Sequence, residues 1–176
     1  MNRKLVYVFM ILGGLLALSA CSDRPSQGAT PEQQFVISAE NAQSIAALKV
    51  AGTCSLENII TVADNSKNDG AENTYKVKKD VAYKLVGFAT NVAASTVPKS
   101  IRIILVGDDS YSKETTTGLD RPDVVTFFKN PSLTGAGYQL DAGFGNVKPG
   151  EYTVFIIDTN SPEKIACPTH QKIFVN

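Results

Sequence analysis

Ser100-Ile101-Arg102-Ile103-Ile104-Leu105-Val106, Gly107-Asp108-Asp109-Ser110, Tyr111-Ser112-Lys113-Glu114-Thr115-Thr116-Thr117 is the stretch that decides the fold. The first run places Ile101, Ile103 and Leu105 on one face and Arg102, Ile104 and Val106 on the other, the two-residue period of a strand. The acidic, glycine-containing segment is a turn, and the Tyr111 run pairs back as a hairpin.

The same rhythm continues on both sides. Upstream, Ala82 to Ala89 alternates Tyr83, Leu85 and Gly87 against Lys84, Val86 and Phe88, and Ser55 to Val62 is apolar at Leu56, Ile59, Ile60 and Val62. A polar loop, Asp64 to Gly70, lies between them, and Lys76-Val77-Lys78-Lys79 reads as a solvated strand face. Downstream, Tyr138–Asp141, Tyr152–Asp158, Lys164–Cys167 and Lys172–Val175 complete about eight strands, with a Pro149-Gly150 turn before Tyr152. Many short strands at hairpin spacing predict an all-β antiparallel sandwich. One segment breaks the rhythm. Pro122 suits the first helical turn and Asp123 a helix N-terminus, so Pro122–Phe128 should form a short helix with Val125 and Phe128 inward. A second short helix, capped by Ser38 and running to about Leu48, is expected from the spacing of Ile37, Ile45 and Leu48, with an edge strand as the alternative.

Several of these segments resemble a bacterial Ig-like module. Leu85-Val86-Gly87-Phe88-Ala89-Thr90 is similar to that module's Gly-Trp-Ala-Val-Asp strand, with Phe88 in place of tryptophan. Arg121-Pro122-Asp123-Val124 matches its Arg-x-Asp-Val element, and Gly137-Tyr138 its Gly-Phe. Val147 to Val154, which contains Gly150 and Tyr152, matches its Leu-x-x-Gly-x-Tyr-x-Val ending. The resemblance covers roughly Cys54 to Asp158 and implies an Ig-like β-sandwich that occurs appended to envelope enzymes or alone, with no general catalytic residues to carry across. Read physically, Gly87 permits close approach of a backbone or an aromatic ring, and Arg121 with Asp123 braces the helical turn against a sheet edge.

The N-terminus has a different character. Met1-Asn2-Arg3-Lys4 is basic, Leu5 to Ala17 is apolar, and Leu18-Ser19-Ala20-Cys21 closes the segment. The apolar run is shorter than the ~20 residues of a spanning helix and has the layout of a cleaved secretory signal. Its ending resembles the lipobox of bacterial lipoproteins. That resemblance implies removal of residues 1–20, acylation of Cys21, and, with Ser22 following, sorting to the outer membrane facing the periplasm. Ser22 to Gln34 lacks large apolar side chains and contains Pro25, Gly28 and Pro31, so residues 21–34 read as a flexible tether and 35–176 as the folded domain.

Charge and cysteines bound the chemistry. The chain carries 17 Lys and Arg against 17 Asp and Glu, without a basic tract, which argues against nucleic acid. Cys54 and Cys167 are the remaining cysteines, and in an oxidising compartment they should form a disulfide. The lone histidine, His170, cannot complete a zinc site or a hydrolase triad, and Pro168 to Gln171 reads as a turn between the last two strands. The Asp64 loop has an EF-hand-like start, but its glycine falls one place late and Tyr75 stands where the bidentate glutamate belongs. No metal and no cofactor are expected.

These readings converge on a non-catalytic envelope lipoprotein that serves as a binding or assembly module for an envelope protein or glycan. A periplasmic inhibitor or secretion-system accessory is the alternative. Expected contact regions are Asp64–Gly70, Gly107–Ser110 and Asn130–Gly135. Tyr111 and Tyr138 are either aromatic surface for a sugar or part of the core and its flank.

Overall fold

The computed structural model describes residues 28–68 and 73–176. The signal segment, Cys21 and the first part of the tether lie outside the described residues, as do the last two residues of the Asp64–Gly70 loop.

The described chain is all-β, with ten strands and two short helices. The strands are β1 (Val36–Ile37), β2 (Thr53–Thr61), β3 (Lys67–Asn68), β4 (Thr74–Val77) and β5 (Ala82–Thr90). Then come β6 (Ser100–Val106), β7 (Ser110–Leu119), β8 (Gly137–Gly143), β9 (Gly150–Asp158) and β10 (Ala166–Val175). Helix α1 spans Ala42–Ala46 and α2 spans Pro122–Phe128. Neighbouring strands follow the order β3-β2-β5-β8-β7-β6-β9-β10-β4, with β1 added against β7. Every named pair is antiparallel except β10 with β4.

This path curls on itself, barrel-like, because each strand has one apolar face to hide. Leu56, Ile59, Tyr83, Leu85, Tyr138 and Leu140 from β2, β5 and β8 meet Ile101, Ile103, Leu105, Val154, Ile156 and Ile173 from β6, β9 and β10 in one core. Strand β6 is buried on its other face as well, where Ile104 packs with Ile45, Ile157 and Ala166 beneath α1. Its run Ile103-Ile104-Leu105-Val106 is the continuous apolar composition that burial on both faces requires. The Cys54–Cys167 disulfide ties β2 to β10 across the curl, with Cα atoms 6.1 Å apart and a sequence separation of 113. Closing so long a loop contributes up to about 4–5 kcal/mol through the unfolded state.

Several sequence expectations need correction. The N-terminal helix is shorter and starts later: the Asn41 side chain accepts from Ser44 N–H and takes the cap, while the Ser38 hydroxyl donates to Glu40. Val36–Ile37 is a strand instead. Ala166–Cys167, the second half of the expected Lys164–Cys167 strand, and Lys172–Val175 are parts of one strand, β10, bent by an irregularity between Pro168 and Lys172, within which His170 takes φ 62°. A bulge absorbs what read as a turn. In α2, Val124 is the fully buried side chain, whereas Val125 and Phe128 are half-buried.

The tether also ends earlier than its composition suggested. Residues Pro31–Gln33 form a 3-10 turn, the Gln34 amide donates to Ala29 O and accepts from Gly145 N–H, and Phe35 N–H donates to Gly143 O at 3.1 Å. Strand β7 meets β8 only at Thr117 and Leu119 and meets β1 at Tyr111 and Ser112. The segment from Ala29 therefore stitches the seam where β7 and β8 splay apart, and Phe35 is fully buried against Phe144. Polar glutamines serve here as backbone substitutes, which an apolar-count reading misses.

Candidate functional site

The site starts from a fault in β2. Leu56 pairs with Gly87 and Asn58 with Val86, so Glu57 is the extra residue of a bulge. A bulge re-aims its side chain and leaves carbonyls outside the ladder. Two buried tyrosines satisfy them: Tyr138 donates to Ser55 O at 3.0 Å, and Tyr75 to Glu57 O at 2.9 Å and Leu56 O at 3.3 Å. Tyr138 fits because position 87 is glycine. A Cβ there would lie 2.6 Å from the Tyr138 hydroxyl and 2.8 Å from Cζ. Burial raises the Tyr138 phenol far above its ordinary pKa, so it stays a donor.

The bulge presents Glu57 to Arg121. Arg121 Nη1 and Nη2 donate to the two Glu57 carboxylate oxygens, both at 2.9 Å. Its Nε and Nη2 donate to Asp123 Oδ1 and Oδ2 at 2.8 and 2.6 Å. The guanidinium carbon lies 5.1 Å from the centre of the Phe88 ring. Position 137 is glycine as well, since a Cβ there would lie 2.8 Å from Leu119 O and 3.0 Å from Arg121 Cγ. The Asp123 bonds and the Glu57 bonds and charge hold Arg121 protonated, and Arg121 pulls Asp123 down to about 2. Charge-assisted paired bonds of this kind fix geometry as well as charge.

Arg121 also sets the start of α2. Its N–H donates to Thr134 O at 2.7 Å, Pro122 fills the first helical position, and the helix stops at Lys129 in the left-handed conformation. Val124 packs with Leu133 and Ala136 against Phe88, Val92, Val97 and Phe128. Between α2 and the outer face of β2 runs an open groove of about 490 Å³, lined by Thr53, Ser55, Glu57, Phe88, Arg121, Asp123, Val124, Phe127 and Phe128. Phe127 is 79 % exposed, and its ring meets that of Phe128 edge-on at 4.9 Å.

The chemistry on offer is recognition. Both carboxylates are bound to one guanidinium, so their outward lone pairs form a fixed row of acceptors. Four bonds occupy the guanidinium donors, out of the five N–H groups an arginine has. Aromatic faces lie beside them.

The motif residues thus fall into two groups. Gly87, Phe88, Arg121, Asp123 and Gly137 assemble at the groove. Gly150 and Tyr152 lie at the other end of the strands, where Tyr152 donates back to Lys148 O at 2.8 Å and packs edge-on against Tyr111. Burial first, then the nearby Tyr111, pushes the Tyr152 phenol up to about 12. Tyr111 and Tyr138 are both core residues. Of the three expected contact loops, only Asn130–Gly135 adjoins α2. In the Asp64 loop, the Asp64 carboxylate accepts from both Ser66 N–H and its hydroxyl, and at Gly107–Ser110 Asp109 pairs with Lys148 at 2.6 Å.

Sequence reasoning missed Glu57 and Phe127. A signal for the first existed: the inward residues Leu56 and Ile59 are three apart, not two, with Glu57-Asn58 between them, which is the spacing of a bulge. No family model matches the chain, and no curated protein matches it.

Proposed function

We propose that this protein is a non-catalytic lipoprotein of the cell envelope, held through acylated Cys21, whose Ig-like domain binds an envelope protein or glycan in the groove between β2 and α2. The Ig-like reading is supported by strand connectivity: β2 pairs with β5, while the short strand β4 that lies between them in sequence runs parallel to the last strand, β10. Tyr152 bonding back to Lys148 O at the start of β9 has the form of the tyrosine corner of such sandwiches.

The observation that carries the binding reading is Phe127. A helix of seven residues that buries Val124 gains little for its own stability from a phenylalanine left 79 % in water, whose contact is an edge-on meeting with Phe128. Placed beside a rigid Arg121–Glu57–Asp123 bracket, that ring combines apolar area with oriented acceptors, the usual makeup of a recognition site.

Two measurements test the proposal. Labelled palmitate should enter the wild-type protein and not Cys21→Ser. A photo-reactive benzoylphenylalanine at position 127 should give an envelope adduct in cells, and the same group at position 109 should give none. Sensitivity of the adduct to protease or to a wall-degrading hydrolase identifies the partner as protein or glycan. Adducts at 109 and not at 127 would reject the groove.

A further inference from the structure

We infer that the occupant of the groove is a segment of an envelope protein that brings a lysine or arginine side chain between Asp123 and the ring of Phe127. The inference rests on the groove reading proposed above and narrows its partner from protein or glycan to a cationic peptide.

The groups that line the groove are unequal in charge and in hydrogen bonding. Among the described residues lining it, Glu57 and Asp123 are the anions and Arg121 the one cation, so negative charge is in excess. Asp120 and Lys129, exposed on either side of α2 in sequence, offset each other. Each carboxylate oxygen of Glu57 and Asp123 accepts one bond from Arg121 and keeps further lone-pair capacity, whereas Arg121 has one N–H left. A surface rich in acceptors and poor in donors is the complement of an ammonium or a guanidinium.

Arg121 shows the pairing that this chemistry makes. Its guanidinium lies 5.1 Å from the centre of the Phe88 ring while it donates to Asp123. Asp123 and Phe127 stand four residues apart on α2, and side chains at that spacing are neighbours on a helix surface. They offer a carboxylate and an aromatic ring a second time, both exposed, and among the described residues no cation stacks on Phe127. A cation brought by a partner gains the ring attraction and a charge-assisted bond together. A neutral sugar would cover Phe127 but would also desolvate the surplus carboxylate charge without a counter-charge, at a net cost.

Size favours a peptide over a small amine. A groove of about 490 Å³ is on the scale of a drug-sized ligand, far more than one ammonium group fills. The half-buried rings of Phe88 and Phe128 leave room for an apolar residue beside the cation, and the Thr53 and Ser55 hydroxyls on the β2 wall lie within the same groove to bond the peptide backbone.

The test uses the full chain, purified from envelopes in mild detergent, on an array of capped peptides whose central residue is arginine, lysine, glutamine or glutamate between leucines, with chitooligosaccharides alongside. The arginine and lysine peptides should be retained about tenfold more strongly than the glutamine peptide, and the glutamate peptide least. Asp123→Asn and Phe127→Ala should each lower that preference about fivefold, whereas Asp109→Asn, away from the groove, should leave it unchanged. Cadaverine, which has the charge without the flanks, should compete far less well than the arginine peptide. Equal retention of the arginine and glutamine peptides, retention of the oligosaccharides alone, no retention at all, or equal competition by cadaverine overturns the inference. The benzoylphenylalanine adduct at position 127 separates the two readings. Where it forms in spite of such a result, the groove still binds and only the cationic peptide is lost; where it fails too, the groove reading falls as well.

Discussion

The two ends of the strand layer hold the same kind of residue in opposite states. At the seam, Phe35, Tyr83 and Phe144 stack at 5.2 and 5.8 Å and are buried. At the groove, Phe127 and Phe128 also meet edge-on, yet Phe127 stays in solvent beside three ionised side chains. Aromatic area at the seam holds the fold together. At the groove the fold is held by Val124 and by the Arg121 bracket, which leaves ring surface free for another molecule.

The sharpest way to break this contrast is at the seam. Phe35→Ala should destabilise the domain by about 3–5 kcal/mol, read from the urea midpoint. A cost below about 1 kcal/mol would show that the N-terminal segment is an ornament and not part of the core. Replacing Cys54 and Cys167 by alanine should cost about 2–4 kcal/mol in thermal or chemical unfolding. Cys54 sits between Thr53 and Ser55 of the groove, so this pair of changes should loosen both ends together. Arg121→Ala should cost about 2 kcal/mol, because it removes charged hydrogen bonds and leaves Glu57 without its partner. Arg121→Lys should recover only part of that, since an ammonium cannot make both paired contacts.

Acid should act on the groove bracket through Asp123. Its carboxyl is held at about 2, below the ordinary 3.8, so its contribution is complete above about pH 4 and is lost as pH falls toward 2. Asp123→Asn should therefore show a flatter stability profile than wild type between pH 4 and 2, and parallel profiles would contradict the bracket. The smallest stability effect belongs to the most exposed ring. Phe127→Ala should change unfolding free energy by no more than about 0.5 kcal/mol while removing the partner adduct.

What could be read from sequence divides along the same line. The β6–β7 hairpin and the limits of α2 were legible because alternation and Pro122 act locally, and the disulfide because Cys54 and Cys167 are the one cysteine pair the folded segment offers. The inward face of α2 was not: Val124 is chosen by the sheet side chain Phe88 beneath it, which no helical period encodes. The seam was hidden because Gln34 docks through hydrogen bonds in a segment whose composition reads as a tether. The Arg121–Asp123 pair was visible as neighbours, but Glu57 lies 64 residues away and reaches Arg121 only through the bulge. The parallel pairing of β4 with β10 likewise joins distant segments without a turn to announce it.

The central claim is that the groove end recognises a partner while the seam end serves the fold. Hydrogen exchange of the protein, with and without isolated cell walls and envelope proteins, tests it most directly. Slowed exchange confined to residues 53–57 and 121–129 is the predicted result. Slowed exchange at 64–68 and 107–110 instead, with the groove unchanged, would contradict it.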